Sequence, residues 1–261
     1  MPAAFTVSTS PGQLVTTALH SGHQLRPALA ELIALDDNER RREEDPYTDQ
    51  LLGDRGVRFH VHQSRFEVDL NRSRDEAVYE HPDDAWGLTV WKQEVPAEEF
   101  HRSRRLHDEF YAELANRMDR LASRGPFLVL DLHSYNHRRE GPDGPAAAPS
   151  DNPEVNVGTG ALDPSRWGHV IDSFMGGLRM QVVGGHRLDV RENVRFRGGH
   201  LSRWVAANYP DFGCTLALEF KKLFMDEWNG ECDTEHVAQL RHALHAVVPS
   251  VLTTIAVSQE P

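Results

Sequence analysis

Cysteine is scarce in this sequence. The chain has 261 residues, and Cys214 and Cys232 are its only two cysteines. Two thiols are too few for a disulfide framework or for a zinc site built from cysteine ligands. A metal ion in this protein must therefore be held by histidine and carboxylate side chains.

Long apolar runs and an excess of positive charge are also missing. No stretch approaches the roughly 20 apolar residues of a membrane-spanning helix, and no basic segment followed by an apolar one marks a secretory signal. The formal net charge is −12, whereas nucleic acids and anionic membranes require a basic protein face. We therefore predict a cytoplasmic protein that binds neither nucleic acid nor membranes.

The length and composition favour one domain over residues 1–261. An apolar fraction of 39% is sufficient for a sizeable core in a chain of this length. Neither an internal repeat nor a linker divides the sequence.

The stretch PFLVLDLHSY at 126–135 is the centre of the predicted fold. Its continuous apolar residues can be buried on both faces of a sheet, which is typical of a central strand in an α/β protein. Asp131, His133 and Ser134 follow where the apolar run ends. Ligands of open α/β sheets bind outside the carboxyl ends of the strands, so His133 is predicted to be available to a metal or a substrate.

Two other predicted strands carry polar residues in the same place. Residues 13–20, QLVTTALH, end in His20, and the apolar strand at 214–220, CTLALEF, is interrupted only by Glu219. Further strands are predicted at 57–63, 65–70 and 155–158, and helices after Pro27 and over 96–123, 164–181, 201–209 and 235–257. The alternation of strands and helices predicts an α/β fold.

Two segments lack a regular pattern. Residues 136–153 are rich in Gly, Pro and Ala, which predicts a mobile loop in the place of a lid over the candidate site. Residues 73–95 are acidic and carry Trp86 and Trp91. We interpret this second segment as a loop insertion near the mouth of the site or at the surface.

The polar residues near the strand ends predict a metal site. His20 and His133 follow two strands, and Asp45 and Asp49 come after the first histidine. A single histidine in such a place is as often a core or capping residue, but two histidines and one carboxylate are a common ligand set for catalytic zinc. Zinc lowers the pKa of water to about 7 and polarises a carbonyl, so amide hydrolysis is the predicted reaction class.

An arginine near such a site would select a substrate that carries a carboxylate, because a planar guanidinium makes a two-pronged contact. Arg72 is the best candidate, since it directly follows a predicted strand and adjoins Asn71. The other candidates are Arg65, Arg191, Arg195 and Arg203.

Six short blocks, in this order, resemble those of the N-formylglutamate amidohydrolase family. They are HSG at 20–22, DPYTD at 45–49, SRFEVDLNR at 64–72, DLHSY at 131–135, NVRFRGG at 193–199 and LEFKKLFMDE at 218–227. That family is similar in fold to the zinc carboxypeptidases and aspartoacylases. The resemblance therefore implies a three-layer α/β/α domain with a mixed central sheet, of the phosphorylase/hydrolase-like kind.

The resemblance also implies the members of a metal site. It implies one zinc ion held by His20, His133 and an acidic residue of the DPYTD block. We choose Asp49 over Asp45, because an acid that opens a helix just after the first ligand is similar to the carboxypeptidase arrangement.

The remaining blocks imply the catalytic and substrate-binding residues. Glu219 would fill the general-base position. Asn71 and Arg72 match the Asn-Arg pair that holds a substrate carboxylate in the carboxypeptidases.

The block at 193–199 would form part of the substrate pocket. Its first and last residues, Asn193 and Gly199, are taken as substrate-binding. Arg191 or Arg197 would contact a second carboxylate.

The block after Glu219 departs from the family pattern. The family's block reads Glu-Ile-Asn-Arg, whereas Phe220, Lys221 and Lys222 follow Glu219 here. A lysine in place of the arginine would weaken a two-pronged carboxylate contact. The loop at 136–153 and the segment between the two tryptophans at 86 and 91 have no counterpart in the resemblance.

The leading hypothesis is a zinc-dependent amidohydrolase of amino-acid metabolism. Its substrate would be a small molecule that bears a carboxylate, namely an N-acylated acidic amino acid. Metal-bound water would attack the amide and remove a small acyl group such as formyl. The nearest alternative is a carboxypeptidase-like hydrolase of a peptide or cell-wall fragment. An alternative of another class is a non-catalytic relative that binds a metal or ligand, and Glu219 argues against it because binding alone does not require a carboxylate on an apolar strand.

Overall fold

A seven-stranded mixed sheet forms the centre of the computed structural model, which describes residues 3–257. The strands are β1 (Phe5–Thr9), β2 (Leu14–Ala18), β3 (Val57–Val61), β4 (Phe127–Tyr135), β5 (Val155–Gly158), β6 (Val182–Val183), β7 (His186–Arg187), β8 (Val190–Glu192) and β9 (Gly213–Lys221). The helices are α1 (Pro27–Leu32), α2 (Asp37–Glu43), α3 (Ala97–Ala122), α4 (Pro164–Arg179), α5 (His200–Asn208) and α6 (Thr234–Val257).

The sheet has the strand order β1-β3-β2-β4-β9-β5-β8. β3, β2, β4 and β9 run parallel to one another. At the two sides of this group, β1 pairs antiparallel with β3 and β5 pairs antiparallel with β9. β6 and β7 form a separate two-stranded hairpin.

Helices cover both faces of the sheet, which confirms the three-layer α/β/α architecture. All nine residues of β4 are buried. Leu128, Leu130 and Leu132 belong to the core that packs under α4 and α6, whereas Phe127 and Val129 belong to the core under α3 and α5. A strand sends successive side chains to opposite faces, so only a continuously apolar strand satisfies both cores.

The parallel pairing brings the polar strand ends together at one edge of the sheet. Within the ladder of β4 and β9, His133 lies opposite Glu219. On the other side of β4, Asp131 lies opposite Thr17 of β2, and His20 follows β2 by two residues. The prediction that His20, His133 and Glu219 would share one end of the sheet is therefore confirmed.

Two predicted elements differ from the structure. The helix predicted after Pro27 is two helices, because Asp36 caps α2 in a reciprocal capping box with Glu39. The strand predicted at 65–70 is wrong, since Glu67 N and Val68 N both donate to Ser64 O and close a turn instead of pairing with a neighbouring strand.

Contrary to the expectation that no stretch is long and apolar enough to cross a membrane, the C-terminal helix α6 is, by length and composition alone, the one such helix in residues 3–257. In the structure it packs against α4 and β4, and Leu240, Leu244 and Val251 are buried in the core. This packing is that of a core helix in a globular domain.

Candidate active site

His20, Asp45 and His133 form a buried group at the carboxyl end of the sheet. Asp45 Oδ2 lies 3.3 Å from His20 Nδ1 and 3.1 Å from His133 Nδ1. The two imidazole rings are 4.9 Å apart between centroids. The three side chains can offer one ligand atom each to a single metal ion.

Three hydrogen bonds, to the main chain and the side chain of Asp45, hold this residue beside the two histidines. Asp45 N donates to His20 O over 2.9 Å. Thr48 Oγ1 donates to Asp45 O over 2.7 Å, and Ser134 Oγ donates to Asp45 Oδ1 over 3.2 Å. The segment that follows α2 is thus folded back onto the end of β2 with the Asp45 carboxylate pointing between the rings.

Asp49 does not join this group, so our choice of Asp49 over Asp45 is corrected. Tyr47 adopts a left-handed backbone conformation with φ 69°, and a 3₁₀ turn, Thr48–Leu51, then carries Asp49 away. Its carboxylate lies 3.8 Å from His60 Nε2, and about a third of the side chain is exposed, at 32%. The reversal at Tyr47 decides which of the two acids faces the histidines.

A second carboxylate lies behind each histidine. His20 Nε2 is 2.8 Å from Asp69 Oδ1, and His133 Nε2 is 3.0 Å from Asp131 Oδ2. Thr17 Oγ1 donates to the other oxygen of Asp131 over 2.7 Å. Metal-binding histidines commonly donate their second ring N–H to a carboxylate, which fixes the ring orientation and leaves the other nitrogen for the metal.

The donor set therefore fits a divalent metal such as zinc. Both Nδ1 atoms face Asp45, while both Nε2 atoms face acids outside the group. Two imidazoles and one carboxylate leave a fourth position for water or substrate.

Asp69 and Asp131 were not identified as site residues from the sequence. Burial favours the neutral acid, but Arg65 and His20 hold the pKa of Asp69 well below its usual range. Arg65 Nη2 donates to Asp69 Oδ2 over 2.7 Å, and the Tyr79 hydroxyl donates to the same oxygen. Asp131 could have been found from the period of two along β4, which places it on the same face as His133.

Glu219 lies across from His133 and lines the same cavity. Its side chain is only partly exposed, towards that cavity. Burial raises the pKa of Glu219 to about 7, against the opposing effect of His133, and Asp45 adds to the rise. A carboxylate with a pKa near neutrality is suited to accept and return a proton.

Asn71, Arg72 and Gly199 line the cavity, as predicted from the sequence. Asn71 Oδ1 accepts from Leu201 N over 3.0 Å, and its Nδ2 lies 3.2 Å from His133 Nε2. A Cβ atom at position 199 would lie 2.3 Å from the Asn71 amide, so a larger residue there would displace the Asn71 side chain. Arg72 stacks over the Tyr79 ring at 4.6 Å.

Arg191 and Asn193 do not line the cavity, and this corrects their assignment to the substrate pocket. Arg191 Nε donates to Asp189 Oδ1 over 2.9 Å, and its other nitrogens bond main-chain carbonyls at 149–150. Asn193 Oδ1 accepts from Thr159 N over 2.9 Å, next to the end of β5. Both side chains instead bond segments that are distant in sequence. Arg191 bonds the loop at 149–150, and Asn193 bonds the main chain of Thr159.

The cavity has a volume of about 450 Å³, and more cationic than anionic side chains line it. The arginines that line it are Arg42, Arg65, Arg72, Arg139, Arg195 and Arg197, together with Lys222. The carboxylates that line it are Glu43, Asp45, Asp69 and Glu219. Since the whole chain has a formal net charge of −12, this local excess of positive charge favours an anionic ligand.

Aromatic rings form part of the cavity wall. Trp86 is 54% exposed and lies in the left-handed region with φ 54°, where Gly87 N closes the turn on Pro82 O. Arg65 lies over its ring at 4.8 Å. On the facing wall, Arg195 lies 5.5 Å from the Tyr135 ring. Trp86, in the segment that was predicted to lie near the mouth of the site or at the surface, thus lines the cavity.

The loop at 136–153 is anchored at both ends. At its start, Glu227 Oε1 accepts from His137 N over 3.0 Å and from Arg138 N over 2.6 Å. At its end, Lys221 Nζ donates to Asn152 O over 3.2 Å. Asn136 and Arg139 line the cavity, so the loop borders the site. Its movement as a lid stays a prediction.

A family model and two solved structures match most of this chain. A family model described as N-formylglutamate amidohydrolase matches residues 12–225. The structure of N-formylglutamate amidohydrolase from Ralstonia eutropha JMP134 is similar with a TM-score of 0.76 and 18% identity, over 97% of this chain and 98% of that chain. A gene product of Agrobacterium tumefaciens is similar with a TM-score of 0.67 and 18% identity, over 97% of this chain and 96% of that chain. No curated protein matches this sequence.

Proposed function

Because this chain belongs to the N-formylglutamate amidohydrolase family, we propose that it is a zinc-dependent amidohydrolase that removes a small acyl group, such as formyl, from an N-acylated acidic amino acid. The observation that carries this proposal is the buried group of His20, Asp45 and His133 beside Glu219, in a cavity where cationic side chains outnumber carboxylates. Such a cavity suits a substrate with carboxylate groups.

His20, Asp45 and His133 would hold the metal. When bound, zinc supplies a Lewis acid that lowers the pKa of water and polarises the scissile carbonyl. Asp69, hydrogen-bonded to His20 Nε2 over 2.8 Å, would keep that ring oriented from behind, and Asp131 Oδ2 lies within 3.0 Å of His133 Nε2 on the corresponding side.

Glu219 would move the proton. It accepts a proton from the water molecule that attacks the acyl carbon, and it then gives this proton to the amine nitrogen as the carbon–nitrogen bond breaks. Its position opposite His133 places the carboxylate beside the metal-binding group without making it a member of that group.

Arg72 would hold a carboxylate of the substrate. Its guanidinium lines the cavity and is partly accessible, with its Nε atom 3.7 Å from Asp69 Oδ2. Stacking on Tyr79 keeps the plane of the guanidinium fixed. A fixed plane is ready for a two-pronged contact with little further ordering.

Replacing Arg72 with glutamine is expected to lower kcat/KM for N-formyl-L-glutamate about 10- to 100-fold, mainly through KM, because a hydrogen bond to a charged group is worth about 1.5–3 kcal/mol. Arg191→Gln is the matched control, since Arg191 bonds Asp189 outside the cavity and should leave kcat/KM within about twofold. Steady-state kinetics of both variants measure the difference. Equal losses in the two variants would contradict the role of Arg72.

Metal content and formate release test the proposed function together. The purified protein is expected to bind one zinc ion per chain and to release formate from N-formyl-L-glutamate, and a chelator should abolish the release until zinc is restored. Zinc binding without hydrolysis of any N-acylated amino acid would favour the non-catalytic alternative. A chain that binds no zinc would overturn the proposal.

The cavity also favours a second candidate, a carboxypeptidase-like hydrolase of a peptide or cell-wall fragment. A volume of about 450 Å³ lies in the range of pockets that hold drug-sized ligands. The exposed ring of Trp86 at the mouth offers a surface for an apolar part of a larger substrate.

Replacing Trp86 with alanine is expected to distinguish the two candidates. If the substrate reaches the mouth, the variant should lower kcat/KM for N-benzoyl-L-glutamate about 2- to 10-fold relative to N-formyl-L-glutamate, as expected for the loss of one aromatic contact. Trp228→Ala is the matched control, because Trp228 stacks on Arg42 at 3.7 Å but does not line the cavity. An unchanged ratio in Trp86→Ala would remove the support for the second candidate.

A further inference from the structure

Lys222 is a buried cation whose hydrogen bonds go to backbone carbonyls. Its side chain is 1% exposed. The ammonium nitrogen Nζ donates to Arg42 O over 2.7 Å and to Glu44 O over 2.8 Å. Two of the donor positions of this ammonium are thus occupied by main-chain carbonyls.

Burying an ammonium group costs free energy unless strong partners replace water. Burial lowers the pKa of Lys222, and the nearby charges of Asp45 and Glu43 oppose this fall. A neutral apolar side chain would avoid this cost. The place of the Arg42 and Glu44 carbonyls in the chain shows which segment the cation stabilises.

The carbonyls of Arg42 and Glu44 lie at the carboxyl-terminal end of α2. Carbonyls in the last turn of a helix have no partner within the helix, and a cation there is favourable. Glu44 directly precedes Asp45, whose own N–H donates to His20 O. Lys222 therefore fixes the main chain immediately before the carboxylate of the metal-binding group.

Lys222 directly follows β9, the strand that carries Glu219. Lys222 N donates to Tyr135 O over 3.1 Å, which continues the ladder between β4 and β9. Through this residue the rigid sheet is joined directly to the loop that presents Asp45. His20 and His133 are placed by strands, whereas Asp45 has no strand of its own.

We propose that Lys222 is a positioning residue that sets the zinc affinity of the site by holding Asp45 against His20 and His133. This inference rests on the proposed function, in that the group binds zinc. This role differs from substrate recognition, because a substitution of Lys222 would change the affinity for zinc even when no substrate is present.

Lys221 provides a matched control. It is the neighbouring residue on β9, it is also buried, at 9% exposed, and it also donates to a backbone carbonyl. That carbonyl belongs to Asn152, at the end of the loop that borders the cavity, and not to the segment before Asp45. The two lysines thus differ mainly in which main-chain segment they hold.

The test is the zinc dissociation constant of the metal-free enzyme, measured by competition with a chromophoric chelator. Lys222→Met is expected to weaken zinc binding about 10- to 100-fold, as for loss of other groups that support a ligand from behind. Lys221→Met should change it by less than about threefold. Lys222→Gln keeps an uncharged N–H donor group and should give an intermediate loss of zinc affinity. It provides the test if the methionine variant does not fold.

Three results would overturn the inference. The first is wild-type zinc affinity in Lys222→Met and Lys222→Gln, and the second is an equal loss in Lys221→Met. The third is a wild-type protein that binds no zinc, which overturns the site itself. A wild type that binds zinc but releases no formate would overturn only the proposed reaction, and the ratio of variant to wild-type affinity would still decide the role of Lys222.

Discussion

Replacing Glu219 with glutamine is expected to lower kcat for amide hydrolysis about 10²- to 10⁴-fold, the usual contribution of a general acid or base, while zinc remains bound. The substitution keeps the shape of the side chain but removes its ability to accept a proton. Glu219 faces the cavity opposite His133 and is not a member of the metal-binding group. Formate release and zinc content measured on the same preparation check both halves of the expectation.

Glu67→Gln is the matched control for this substitution. Glu67 is also a buried glutamate, and burial also raises its pKa, but it lies outside the cavity and accepts from Arg26 N over 2.7 Å. Its replacement should leave kcat within a few-fold of the wild-type value. A Glu219→Gln variant that retained wild-type kcat would contradict the proton-transfer role, and loss of zinc from it would show that Glu219 supports the metal site instead.

The parts of the site that could be predicted from the sequence are those fixed by strand periodicity. His133 and Glu219 stand at the ends of apolar runs, and parallel pairing then places them opposite each other. An apolar strand such as β4 requires cover on both faces, which predicted an α/β fold, whereas the three-layer arrangement with a mixed sheet was expected from the resemblance. These features depend on local pattern and on one general rule of sheet packing.

The parts that failed depend on backbone reversals that no periodicity shows. Asp45 and Asp49 are equivalent by residue type, and the left-handed conformation of Tyr47 separates them. The alternating segment at 65–70 has the pattern of a strand, but its side chains are buried in turns, where Asp69 supports His20. Here both the polar and the apolar residues are buried, Glu67 and Asp69 as well as Phe66 and Val68. Alternation alone therefore does not show whether a partner strand exists.

Arg191 and Asn193 illustrate a second limit. A basic, Gly-rich segment after a strand was compatible with a substrate-binding loop, and Gly199 does lie in the cavity wall. Arg191 donates to two main-chain carbonyls about 40 positions earlier in the chain and to the Asp189 carboxylate. Contacts of that separation are set by the folded structure, so residue type alone could not choose between the cavity and the loop.

Replacing Asp45 with asparagine is expected to weaken zinc binding by more than about 100-fold, beyond the usual effect of losing a group that only supports a ligand. The neutral amide would lack the negative charge that faces both Nδ1 atoms, at 3.3 Å from His20 and 3.1 Å from His133 in the wild type. Asp49→Asn is the matched control, because Asp49 is 32% exposed and lies 3.8 Å from His60 instead.

Thermal unfolding with and without zinc separates the two variants of this pair. A ligand that binds only the folded chain stabilises it by about 4 kcal/mol at 1,000 times its dissociation constant. We therefore expect added zinc to raise the Tm of the wild type and of Asp49→Asn by similar amounts, and that of Asp45→Asn by much less at the same concentration. The opposite result, a zinc-dependent rise in Asp45→Asn and none in Asp49→Asn, would restore Asp49 as the metal-binding acid. It would also require the loop at 45–49 to rearrange on binding, because the backbone reversal at Tyr47 keeps Asp49 away from both histidines.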